Sequence, residues 1–105
     1  MAFEYRVRFQ DSPWYAANRQ RLAAYIRTLP RLKNEISPEE FRLKDDVVEN
    51  SWPYDLRVFL RDDRVDVEVS ATTATLDVDM RAILRWLRDR TDIEFLDEDG
   101  LPGPL

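Results

Sequence analysis

The chain contains no histidine and no cysteine, and its two glycines, Gly100 and Gly103, both lie near its C-terminal end. Each absence removes a class of chemistry. Without histidine, the commonest general base and metal ligand is missing. Ser12, Ser37, Ser51 and Ser70 therefore cannot belong to a Ser-His-Asp triad. Without cysteine there is no disulfide and no thiolate nucleophile. Without glycine before residue 100 there is no phosphate-cradling loop and no dinucleotide fingerprint. No apolar run is long enough to cross a bilayer, and the opening "MAFEYRVRF" alternates and carries charge early, unlike a secretory signal. These absences predict a non-enzymatic cytoplasmic protein with no catalytic residue, no cofactor, no bound metal and no membrane partner.

Lysine is scarce as well: Lys33 and Lys44 are the only two. Against 16 Lys and Arg stand 21 Asp and Glu, a formal charge of −5. That balance opposes binding to nucleic acid and to anionic lipid, and it suits a protein partner with a basic surface.

Hydrophobic residues make up 44% of the 105, enough for one domain to bury a core without metal or disulfide. The expected organisation is one domain over 1–97, with an irregular segment at 31–53 and a flexible tail at 98–105. Residues 3–9, "FEYRVRF", alternate strictly and predict a strand with Phe3, Tyr5, Val7 and Phe9 inward. "DSPWY" predicts a helix start with Ser12 as N-cap and Pro13 in the first turn. Tyr15, Leu22, Tyr25, Ile26 and Leu29 form its apolar stripe, with Trp14 at the margin, and Pro30 ends it. In 31–50, "SPEEF" suits a capped helical turn and "FRLKDDVV" a short strand.

The stretch 54–70, "YDLRVFLRDDRVDVEVS", is a hairpin turning at "RDDR". Folding there pairs Leu60 with Val65, Val58 with Val67 and Leu56 with Val69 on one face, and Arg57 with Glu68 on the other. A second helix follows over about Thr75 to Arg90, with Leu76, Met80, Ile83, Leu84 and Leu87 on one side. "DIEFL" closes with a strand that turns Ile93 and Phe95 inward.

The resulting order, β-α-β-β-α-β, fits an α+β two-layer sandwich: a ferredoxin-like split βαβ with a mostly antiparallel sheet and two helices on one face. In that arrangement 54–61 is an edge strand. Outward charges would alternate across the open face from Arg57 to Glu68 and Asp66, then Arg6 and Arg8, then Glu94.

Few residues suggest a site. "DEDG" at 97–100 starts like a calcium loop but lacks its remaining spacing and closing Glu. Asp45-Asp46 and Asp62-Asp63 read as solvated turns. Arg81, Arg85 and Arg88 form a stripe on the second helix. Asn18 interrupts an apolar stripe and needs partners. "NSWPYD" at 50–55 holds Tyr54, whose parity sends it inward, and Trp52, which suits either the core or a partner. The expected partner surface is Asp45, Asp46, Glu49 and Trp52, with Phe59 alongside. Its carboxylates would steer a basic protein and the tryptophan would supply desolvated contact area. The most concrete function is an inhibitor or immunity-type protein that masks a basic partner. The alternative is a small-ligand-binding or regulatory domain with a pocket between helices and sheet at Asn18, Tyr25 or Trp14. Homodimerisation through the open sheet face is compatible with either.

Overall fold

A computed structural model describes residues 3–44, 55–70 and 74–105. Of the sequence expectations, those for Asp45, Asp46, Glu49, Trp52 and Tyr54 lie outside these residues. The elements run β1 (Phe3–Phe9), α1 (Ser12–Ile26), β2 (Leu32–Ser37), β3 (Glu40–Leu43), β4 (Leu56–Leu60), β5 (Arg64–Val69), α2 (Ala74–Arg88) and β6 (Ile93–Leu96). The described strands form one antiparallel six-stranded sheet in the order β2-β3-β4-β5-β1-β6.

β4 and β5 pair in the register that the apolar alternation dictates: Leu56 with Val69, Val58 with Val67, Leu60 with Val65, and Arg57 with Glu68. The strands β4, β5, β1 and β6 keep the expected neighbours, but the sheet does not end at β4. Residues 32–43 form a further hairpin, and β3 pairs along the outer side of β4. This corrects two expectations. The sheet as a whole does not have the ferredoxin-like order, and β4 is an interior strand. The physical reason lies in β3, which buries Phe41 and Leu43 completely beside the core face of β4. "SPEEF" is accordingly no helical turn: Ser37 ends β2, Pro38 and Glu39 make the link, and Glu40 and Phe41 open β3, with Ser37 Oγ accepting from the Glu39 amide at 3.2 Å.

Val7, Val58, Val65 and Val67 pack with Tyr15, Leu22 and Ile26 of α1 and Leu76, Met80, Ile83, Leu84 and Leu87 of α2 in one core. The cap of α1 is Asp11, one residue before the expected Ser12: its Oδ1 accepts from the Trp14 amide at 3.1 Å. Tyr15, fully buried, donates its hydroxyl to the Arg61 carbonyl at 2.7 Å and so ties α1 to the β4–β5 turn. Burial pushes its phenol pKa upward. Asp79 of α2 is also buried, and its Oδ2 accepts from the Arg31 amide at 3.2 Å, anchoring the entry to β2.

Residues 97–105, read from sequence as a fraying tail, fold back on β6. Leu96 bridges to Pro102, and the Gly103 amide donates to the Phe95 carbonyl at 2.8 Å. The approach is close: a Cβ on Gly103 would lie 2.5 Å from the Phe95 ring, which itself stacks on Tyr5. At Gly100 the backbone takes φ +79°, a conformation that glycine adopts without strain.

Candidate functional site

Alternation along the strands sends one set of side chains into the core and the other onto a face that neither helix covers. The central cross-strand row of that open face reads Phe59, Asp66, Arg6, Leu96. Phe59 is half-buried between two guanidinium groups, Arg57 at 4.8 Å and Arg61 at 4.5 Å from the ring centre. Asp66 accepts from Arg6 at 3.4 Å and from Arg61 and Arg64 at 3.2 Å each. Arg57 meets Glu68 at 2.7 Å. The face is thus a lattice of charges held in place by one another, and Phe59 is the aromatic within it. As read from sequence, Phe59 lies on the open face; it does not lie on an edge, because Glu40 of β3 pairs opposite it.

The expected sign alternation holds for Arg57–Glu68, Asp66–Arg6 and Arg8–Glu94. It fails at Glu4, which lies opposite Glu68, and at Arg8, whose other neighbour is Arg64. Along β1 and β5 the face therefore has an acidic end and a basic end; the acidic row continues onto Arg57 and Arg42 of β4 and β3, and the basic row onto Glu94 of β6. The turn at 97–100 adds to the acidic end. Asp97 Oδ1 accepts from the Asp99 and Leu101 amides, at 2.9 and 3.0 Å, and this fixes the turn. Glu98 Oε1 accepts from the Glu4 amide at 3.3 Å and fastens the turn to β1. The result is a shallow groove of about 400 Å³ in which Glu4, Glu68, Asp97, Glu98 and Asp99 share the lining with Arg6, Arg8, Arg61 and Phe59. Among the described residues, Glu4, Asp97, Glu98 and Asp99 make no ion pair. Lys44 and Asp55, which flank 45–54, close the strands β3 and β4 at this same end: Asp55 donates its amide to the Leu43 carbonyl.

Sequence reasoning missed the groove because Glu4 and Glu98 are far apart in the chain. The one signal that could have found it is Gly103, the residue that lets the tail close on Phe95.

The residues expected to line a ligand pocket are occupied with one another. Trp14 and Tyr25 lie 6.3 and 5.7 Å from the Trp86 ring, and Arg90 caps that ring at 4.1 Å. Asn18 donates to the Trp14 carbonyl of its own helix at 2.9 Å and accepts from Arg21. The stripe on α2 is split: Arg81 pairs with Asp77 at 2.7 Å, and Arg88 donates to the Leu105 carbonyl. An apolar cleft of about 230 Å³ lies elsewhere, lined by Tyr5, Leu56, Leu76, Met80, Phe95 and Leu105. Among the described residues no helix is long and apolar enough to cross a membrane, and no group of three or more carboxylates is placed to hold a metal ion. No family model, curated protein or solved structure matches this chain.

Proposed function

We propose that this chain is a non-enzymatic protein-interaction domain that docks a basic partner on the acidic end of its open sheet face. In its most specific form it is an inhibitor or immunity-type protein that masks that partner. The observation behind this reading is the groove in which Glu4, Asp97, Glu98 and Asp99, which make no ion pair among the described residues, stand beside a half-buried Phe59. Uncompensated carboxylates steer a cationic surface and raise its association rate. An aromatic restrained by two neighbouring guanidinium groups supplies contact area at little entropic cost. On sequence grounds alone, Asp45, Asp46, Glu49 and Trp52 are further candidates for contact with such a partner. We also read β4-β5-β1-β6 as a split βαβ core into which the β2–β3 hairpin is inserted.

The immobilised chain should capture its partner from native cell extract at low salt and release it at high salt. The same partner should be lost when Glu98→Gln and Asp99→Asn are combined. Capture that survives both changes would place the partner site elsewhere, with Arg85 and Arg88 on α2 next to test.

The apolar cleft favours a second reading, a small-ligand-binding domain, with the ligand against Leu56, Met80 and Phe95 rather than at Asn18. An apolar dye that binds the native chain stoichiometrically and is lost on Met80→Trp would support it; no binding would remove it.

A further inference from the structure

We propose that the apolar cleft beside α2 binds a short aliphatic carboxylate, its hydrocarbon chain against Leu56, Met80 and Phe95 and its carboxylate on the Arg81 guanidinium. This rests on the small-ligand reading of the cleft and adds to it the chemical class of the ligand.

The lining sets the chain. Three parts of the fold supply it: Leu76 and Met80 from α2, Tyr5, Leu56, Val69 and Phe95 from the sheet, and Pro104 and Leu105 from the returning tail. The tail is fastened there twice, by the Gly103 amide on the Phe95 carbonyl and by Arg88, which donates to the Leu105 carbonyl at 2.9 Å. An apolar cavity of about 150 Å³ holds benzene, with its six carbons. In proportion, the cleft of about 230 Å³ admits a chain of roughly eight carbons. Met80, unbranched and polarisable, can adjust to such a chain.

The charges set the head group. Among the described residues, Asp77 and Arg81 are the only charged members of the lining. They pair through Arg81 Nε and Asp77 Oδ2 at 2.7 Å. A guanidinium carries five N–H donors, and that bond uses one of them. The two terminal NH2 groups of Arg81 have no partner among the described residues. Their planar fork matches the two oxygens of a carboxylate. One turn along α2, Arg85 is exposed and makes no ion pair among the described residues. An anionic head therefore meets one guanidinium with donors to spare and a second a turn away. An ammonium head would be repelled by both, and it would reach Asp77 only by displacing Arg81. The arginine stripe legible in the sequence of α2 thus acquires a role at the cleft.

Octanoate, 1-octanol and octylamine share one chain and differ in the head, so their binding to the full chain at neutral pH tests this. Titration calorimetry gives the affinities, and the methyl resonance of Met80 reports occupancy of the cleft. Octanoate should bind once per chain, shift that resonance, and bind about tenfold or more tighter than the alcohol, with the amine weaker still. Arg81→Gln should reduce octanoate to the affinity of the alcohol and leave the alcohol unchanged. Arg81 is exposed, and circular dichroism should show the variant folded. An alcohol that binds as tightly as octanoate, or a preference that survives Arg81→Gln, overturns the proposal while the small-ligand reading stands. Octanoate that leaves Met80 unmoved where the apolar dye binds overturns it alone in the same way. If neither octanoate nor the dye binds, the proposal and the reading beneath it both fall.

Discussion

The hairpins β4–β5 and β2–β3 are built from antiparallel strands of similar length, yet different forces hold them. In β4–β5 both strands lie over the helices. Leu56, Val58, Leu60, Val65 and Val67 are buried, and the register runs without interruption from Leu60–Val65 to Leu56–Val69. In β2–β3 only the inner strand reaches the core, through Phe41 and Leu43. The outer strand is exposed along most of its length, and its register shifts twice, between Leu32 and Asn34 and between Glu35 and Ser37. Where both strands cover a core, a one-residue slip would turn every apolar side chain outward, so burial fixes the register. Where a strand overhangs the core, only local bonds hold it, and bulges are tolerated. The irregular β2 edge, carrying Lys33, is also a poor template for unwanted strand pairing.

Placing one charge in each hairpin should separate the two most widely. Val67→Asp should destabilise the fold by several kcal/mol, because it buries an unpaired carboxylate. Ile36→Asp on β2, where the side chain is 51% exposed, should shift stability by no more than about 0.5 kcal/mol. Chemical denaturation of the two variants checks both, and equal effects would mean that β2 is buried in solution.

Next in size is Phe41→Ala, expected to cost about 3–5 kcal/mol. Since Phe41 is the main tie between the outer hairpin and the core, amide exchange in β2 and β3 should accelerate more than in β5. Uniform acceleration would show that both hairpins unfold as one unit.

Tyr15→Phe should cost about 1–2 kcal/mol, because the Arg61 carbonyl loses its buried donor. It should also change the pH dependence. The Tyr15 phenol has a raised pKa in the folded state. It therefore contributes stability that is complete below the unfolded-state pKa, near 10, and is lost as pH rises above it. Melting curves across alkaline pH should fall more steeply for the wild type than for Tyr15→Phe.

The smallest effect belongs to Glu35→Gln. Arg27 pairs with Glu35 at 2.6 Å and holds the Glu35 carboxyl below its usual pKa. The pair's contribution is present above the unfolded pKa and lost as pH falls through the folded one. With both side chains solvated, the global melting temperature should barely move. Faster exchange of β2 amides at neutral pH is the expected readout.

These differences explain how much of the fold could be read in advance. The alternation at 56–69 carries its own register because each apolar residue has one face available. "LKNEIS" carries no such pattern: Leu32 and Ile36 are its only apolar members, and each bulge reverses the parity of the residues after it. Asp11 and Ser12 are both good helix caps, so composition did not separate them; the Trp14 amide pairs with Asp11. At the candidate site, the position of Phe59 on the open face comes from counting along the strand. The groove beside it does not, since it needs the tail to return along β6 and the Glu98 carboxylate to meet the Glu4 amide.

Residue type and short-range periodicity were enough to exclude whole classes of chemistry, to place the two helices, and to pair 56–60 with 65–69. All of these are local properties of the chain. Packing of the assembled elements set the rest: β3 covers β4, the chain after Leu96 closes on Phe95, and Glu4 and Arg8 stand opposite like charges. Those outcomes depend on which surfaces remain unburied once the local elements have formed, and no short stretch of sequence carries that information.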